Sequence, residues 1–356
     1  MNNIKYLSVF IVITVIVQNS FSQKYFVKSY TIENGLPTRM VNDACQDNSG
    51  IMWFATQNGI SSYDGFSFTN YDTTNGLPYQ SYRKIKCDEH GIVWGVPNGL
   101  SDTIVRLQNN VWIRIVPATI KRDIDITSLD VFYQESNPVI CVGSTAGIDV
   151  YQDGRWNHLN ISDDLNMNRV FSVTAEKGKF YILCKKGLFV AEHGKSGWSL
   201  REFFSLPGET IIAIRFDQYG LPGEKLWLLT FNTLSYLDHG KRIRYAGGFS
   251  LPNPHFTAGG FLNFDGRGNY FFGNNWGKYF IRKPGNNPAP LMINNGFSSD
   301  GASSVFIDRE QNVWFTDSRG VDKIGNLLMM SYYKNHGLQE NEVTAILELK
   351  DGGMVL

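Results

Sequence analysis

The sequence has no surplus charge of either sign. Its 33 Lys plus Arg balance 33 Asp plus Glu, for a formal net charge of zero. This excludes the broad basic footprint of a nucleic-acid partner, and no basic run suits an anionic membrane surface. Histidines are few and scattered, at 90, 158, 193, 239, 255 and 336, with no H-E-x-x-H or paired ligand spacing, so no metal is expected. No G-x-S-x-G elbow occurs. Gly194-Lys195-Ser196 resembles the end of a phosphate loop, but Phe189 stands where its first glycine belongs, and an exposed hairpin turn is expected. Gly266 and Gly268 give only G-x-G between strands, so a dinucleotide fingerprint fails and no cofactor is expected. Only four cysteines are present, 45, 87, 141 and 184, with no C-x-x-C pair and each inside an apolar run. They read as small buried hydrophobes, with one bridge between neighbouring units, Cys45 with Cys87, as the alternative.

Long apolar runs are also lacking. Tyr6–Val17 gives 12 mostly apolar residues after a short n-region with Lys5, too few for a spanning helix. Ser20-Phe21-Ser22 places small residues two apart, so residues 1–22 read as a signal peptide with Gln23 as the new start. The chain is expected to be exported to the periplasm, with no membrane span beyond that signal.

What the chain does have is 14% aromatic residues and 35 glycines. That mixture suits short strands joined by tight turns and suits a helical bundle poorly. It also repeats. Asp47-Asn48-Ser49-Gly50-Ile51-Met52-Trp53 returns as Asp88-Glu89-His90-Gly91-Ile92-Val93-Trp94 and as Asp308-Arg309-Glu310-Gln311-Asn312-Val313-Trp314. Weaker copies centre on Cys141, Ile182, Trp227, Phe271 and Val355. Neighbouring centres lie 41 to 47 residues apart, the period of a four-stranded propeller blade. A second landmark keeps step: Gly59, Gly99, Gly147, Gly187, Gly277 and Gly320 each follow their centre by five or six residues. The first unit reads as strands 40–46, 51–56, 60–63 and 66–71 separated by Asp/Asn/Gly turns.

The expected fold is all-β: a seven-bladed β-propeller of four-stranded antiparallel blades over residues 24–327. Residues 328–356 read as surplus strands that open a further repeat. Residues 25–31 precede the first Asn-Gly-Leu-Pro as residues 66–71 precede the second, so they read as a fourth strand without a blade. Pairing with Val321–Ile324 would close the ring and hide the open edges. Leu328–Tyr333 is the competing candidate for that edge.

The succession N-G-L-P, D-x-x-G-x-x-W-x-x-T and N-G-[IL]-x-x-Y-D-G resembles the two-component regulator propeller repeat. It is nearly complete at Asn34–Gly65, partial at Asn75–Leu100, and returns at Asp308–Val321. The resemblance implies the periplasmic sensor region of a bacterial histidine kinase, several of which sense oligosaccharides. It implies a small extracellular ligand as partner, with self-association or downstream sensor domains as further partners. In that family a second propeller, a β-sandwich, a membrane helix and a kinase typically follow. Here the sequence stops inside an eighth unit, so it reads as a piece of a longer sensor.

No catalytic residues are expected. Sialidase-type boxes place aspartate two before glycine, whereas Asp47, Asp88 and Asp265 stand three before theirs, a spacing that suits a structural turn. A facing carboxylate pair, as glycosidases need, does not announce itself. A protein-interaction scaffold and a glycan-active enzyme are the other two readings. Trp53, Trp94, Trp227 and Trp314 recur once per unit and read as packing between blades. Trp276, in a glycine-rich turn, is a better contact for a ligand. The face built from fourth-to-first and second-to-third strand loops carries the candidate ligand-binding residues Arg39, Gln57, Arg83, Asn98, Arg169, Asn275, Trp276, Asp317 and Arg319, chosen as directional donors, acceptors and an apolar platform.

Overall fold

The computed structural model describes residues 24–117, 124–164, 167–217, 225–238, 240–252, 259–265, 267–282, 287–325, 330–331, 347–348 and 354–355. The expected signal peptide, residues 1–22, lies outside them. The chain divides into two compact units, one of them spanning Val27–Ile293 and Phe297–Gly325. That unit is a seven-bladed propeller of four-stranded antiparallel sheets.

Blade 1 comprises Val41–Gln46, Met52–Thr56, Gly59–Tyr63 and Phe68–Tyr71, within two residues of the boundaries the sequence suggests. Blades 2 to 5 begin at Tyr82, Ile126, Val170 and Ala213 and end at Ile115, Leu159, Phe204 and Ala246. Blade 6 runs from Phe261 to Pro290, with a two-residue outer strand. Each of the seven repeat centres from Trp53 to Trp314 falls in the second strand of its blade. First strands contact first strands in unbroken succession from blade 1 round to blade 7 and back to blade 1, so they form the inner wall of a closed ring. Lys195 and Ser196 form the turn between two paired strands, with Gly194 opposite Gly197.

Blade 7 is assembled from both ends of the unit. Ser304–Ile307, Val313–Thr316 and Val321–Ile324 supply three strands, and Val27–Tyr30 supplies the fourth. Its register sets Tyr30 opposite Val321 and Val27 opposite Ile324. Met330–Ser331, from the competing segment, pairs instead with Lys24–Tyr25. These strands belong to the second unit, whose other described pair is Leu347–Glu348 with Met354–Val355. Gly320 shows how closely the closing strand is fitted: its φ is +139°, and a Cβ there would strike the carbonyl oxygen of Tyr30. Gly320→Ala should therefore destabilise the propeller by about 1–3 kcal/mol, read as a lower denaturation midpoint.

The repeated motif has a local cause. Asp47 Oδ1 accepts the backbone N–H groups of Ser49 (2.8 Å) and Ile51 (3.1 Å), while Oδ2 accepts Trp53 Nε1–H at 2.8 Å. Asp88 does the same for His90, Ile92 and Trp94. Asp308 binds Asn312 N–H and Trp314 Nε1–H, each at 2.7 Å. One carboxylate thus folds the hairpin and satisfies the only polar atom of a buried indole. The spacing expected for a structural turn is a structural turn. All four recurring tryptophans are buried among residues of adjacent blades.

The preferred reading of the cysteines needs correction at two positions. Cys45 and Cys87 form a disulfide between the first strands of blades 1 and 2, with Cα atoms 5.7 Å apart. The two positions are 42 residues apart, about one repeat, so they occupy matching places on inner strands that touch. Cys141 and Cys184 lie on second strands and are free and buried, as small hydrophobes are.

Candidate ligand-binding face

Backbone hydrogen bonds knit the fourth-to-first and second-to-third loops into one face. Gln57 N–H donates to Met40 O (3.1 Å), Gly59 N–H to Gln80 O (2.6 Å), Asn98 N–H to Ser81 O (2.8 Å) and Lys185 N–H to Arg169 O (3.3 Å). Across blades 6 and 7, Ala302 N–H donates to Asn274 O (3.0 Å), and Val41 N–H reaches back to Asp317 O (2.9 Å). Eight of the nine candidate residues lie in these loops and Arg83 at the start of a first strand, in five of the seven blades.

Arg39, Gln57, Asn98, Arg169, Asn275, Trp276 and Arg319 are exposed. Arg83 and Asn98 come together, with Arg83 Nη2 donating to Asn98 Oδ1 at 3.1 Å and pairing with Asp125 of blade 3 at 2.8 Å. Arg83 stands where the first-strand register of blade 2 shifts between Tyr82 and Lys84. The same shift occurs at Asn42, Thr127 and Phe171 in blades 1, 3 and 4. A bulge re-aims one side chain at the start of a strand, which turns Arg83 towards its neighbour's carboxylate. Asn42 Nδ2 likewise donates to Tyr82 O at 2.6 Å.

Trp276 is 53% exposed. Its turn is held from beneath by Asn274, whose Oδ1 accepts the N–H groups of Trp276 (2.9 Å) and Gly277 (3.0 Å) while Nδ2 donates to Pro252 O at 2.8 Å. Asp317 departs from the rest: it is 2% exposed and directs its carboxylate into the contact between blades 6 and 7 rather than to solvent. Burial raises its pKa. Lys278, also buried, donates to Ser299 O (2.6 Å) and Gly301 O (3.3 Å) and sits over the ring of Phe297 at 4.4 Å. Burial lowers its pKa against the opposing pull of Asp322 and Asp317.

Several of these features carry no periodic signal. Lys278 directly follows the turn glycine Gly277, with no spacing that sets it apart, and Asp125 lies in a linker. A cavity of about 400 Å³ beside blade 4, lined by Cys184, Lys185, Lys186, Leu206, Glu209 and Ile211 among others, has no sequence signal either. His158 lies 3.2 Å from buried Asp149 and 3.0 Å from Asn160 Oδ1. Its pKa is raised, chiefly by the Asp149 hydrogen bond. Among the described residues no three His, Cys, Asp or Glu side chains gather to hold a metal ion. Among them, too, no helix is long and apolar enough to cross a membrane.

The family described as Two component regulator propeller matches residues 35–58. No curated protein matches the chain. Among solved structures, the fold is similar to the extracellular domain of the hybrid two component system BT4673 from B. thetaiotaomicron, with TM-score 0.64, 14% identity, and 85% of this chain and 39% of that one covered. The extracellular domain of the hybrid system BT3049 from the same organism gives TM-score 0.63, 18% identity and coverage of 84% and 42%. Virginiamycin B lyase from Staphylococcus aureus gives TM-score 0.63, 13% identity and coverage of 85% and 100%. The chain thus spans about two fifths of the length of the two sensor domains, and at these identities the likeness is one of fold. Residues 35–58, with the turn and tryptophan they encode, identify the chain as a carrier of the two component regulator propeller repeat built into a seven-bladed ring.

Proposed function

We propose that this propeller is the periplasmic ligand-sensing part of a two-component system, binding an oligosaccharide or another small extracellular ligand and signalling to a histidine kinase. The repeat at residues 35–58 carries this reading, and the fold shared with extracellular sensor domains supports it. The ligand would meet the loop face. Trp276 offers an apolar platform for a sugar ring, while Asn275, Arg319, Arg39 and Arg169 offer donors to hydroxyls or carboxylates. Arg83 is committed to Asp125 and Asn98, so its role there is to position Asn98. Glycan-array screening of the exported chain, then calorimetry with the best glycan, tests the proposal. Trp276→Ala and Arg319→Ala should each weaken binding about tenfold or more, from the loss of one stacking or charge-assisted contact. Unchanged affinity in both variants would overturn the site. Capture of a protein partner without glycan binding would favour a scaffold, and sugar turnover would favour an enzyme.

A further inference from the structure

Ser298 has one hydroxyl proton, and two buried carboxylates stand ready to accept it. Its Oγ lies 2.9 Å from Asp317 Oδ2 and 2.9 Å from Asp322 Oδ2. A hydroxyl donates once, so with both acids ionised one oxygen pair would meet without a proton between them. The rest of the cluster supports the two acids unequally. Asp322 also accepts Ser298 N–H at 2.9 Å and the Ser29 hydroxyl at 2.6 Å, and Lys278 Nζ stands 4.0 Å away. Among the described residues Asp317 has one other donor, the N–H of Arg319 at 2.6 Å. Lys278, Asp317 and Asp322 are 1%, 2% and 0% exposed.

We propose that Asp317 holds a proton and, by releasing it as pH rises, makes the contact between blades 6 and 7 a proton-responsive element beneath the loop face. The protonated Asp317 Oδ2 donates to Ser298 Oγ, and Ser298 donates onward to Asp322. Charge then closes: the Lys278 ammonium balances the Asp322 carboxylate, and Asp317 is neutral. Loss of the proton leaves a second buried anion that must share Lys278 with Asp322. The charged groups facing Asp317 are Lys278 from blade 6 and Asp322 from its own blade, and Asp300 on the approach loop acts on Lys278. Ser298 starts that approach loop, which Lys278 pins through Ser299 O and Gly301 O. Gly301 packs so closely on Asn275 that a Cβ would strike its carbonyl oxygen. Repulsion at Asp317 therefore loosens the loop that abuts Asn275 and Trp276.

The sign follows from linkage. A carboxyl whose folded pKa lies above its unfolded value binds more protons when folded. Its stabilisation is complete below the ordinary carboxyl value of 3.8 and is lost as pH climbs through the folded value. Asp317→Asn supplies an amide N–H to Ser298 at every pH. Melting temperatures of wild type and Asp317→Asn, compared from about pH 4 to pH 8, should diverge steadily, with wild type losing ground as pH rises and the variant at least as stable at the upper end. A constant difference, or a less stable variant at the upper end, would overturn the proposal. Carbon-13 carboxyl NMR of aspartate-labelled wild type gives a test independent of any variant: one aspartate should titrate above the usual carboxylate range. If every aspartate titrates within that range, the proposal fails.

Discussion

Removing residues 24–31 should lower the melting temperature by roughly 10 °C or more, since about 5 kcal/mol of packing is lost and each kcal/mol is worth about 2 °C in a domain of this size. The segment contains the whole of Val27–Tyr30, the fourth strand of blade 7. Tyr30 is its buried anchor, stacked on Trp314 with ring centroids 5.7 Å apart and edge-on to Tyr63 at 5.2 Å. Ser29 supplies one of the donors that satisfy buried Asp322, so its loss leaves that carboxylate short. The exposed edge of Val321–Ile324 would then invite pairing with other chains. Trimming residues 334–356 takes no strand from the seven sheets and should change the propeller's melting temperature by far less. Differential scanning calorimetry of the two truncations decides the matter, and the opposite order would show that the ring is not held by its N-terminal strand.

Ring closure has a second component on the opposite side of the blades. Arg309, in the first turn of blade 7, donates to Asp47 O at 2.7 Å and Asn48 O at 2.9 Å of the corresponding turn in blade 1. Asn48 in turn donates to Glu89 O of blade 2 at 3.0 Å. The same motif therefore does two things in each blade where it is complete. It caps its own hairpin, and it presents carbonyl groups to which the preceding blade can bind.

The ring and its closure were legible because they rest on local, repeated chemistry. An aspartate six residues before a tryptophan has one good use in a hairpin, and a fourth strand without its own blade has one good partner. The face was legible as loops but not as contacts. Lys278 and Asp322 sit on third strands, and nothing in a single sequence shows that two blades bury them together. The bulge that commits Arg83 to Asp125 depends on a one-residue register shift, which side-chain periodicity does not encode. Cys45 and Cys87 did carry a signal: a separation of one repeat places two cysteines at matching positions on strands that touch. Buried-hydrophobe reasoning, sound for Cys141 and Cys184, outweighed it.

Trp314→Ala should cost about 3–5 kcal/mol, the range for a large aromatic removed from a packed core. Trp276→Ala should cost within about 1 kcal/mol, as exposed positions do. Against a total stability of about 5–15 kcal/mol, the first change brings the protein close to unfolding and the second does not. Trp314 packs between blades 7 and 1, with Phe54 at 5.9 Å and Tyr63 at 6.3 Å beside the stacked Tyr30, so its loss empties the seam where the ring closes. Its Nε1–H also satisfies Asp308 Oδ2. Trp227 separates the two contributions. It is equally buried, among Tyr236, Tyr245, Phe264 and Tyr270, but its Nε1 has no hydrogen-bond partner among the described residues. The motif position six residues before it is Leu221 rather than aspartate. Replacing the indole by phenylalanine should therefore be the more damaging at position 314. Trp314→Phe strands a buried carboxylate oxygen, at about 1–3 kcal/mol beyond the lost volume. Trp227→Phe removes an N–H that satisfies nothing. Urea denaturation of the two variants reads the difference directly. Equal costs would mean that the aspartate of the motif serves only its own turn and adds nothing to the tryptophan.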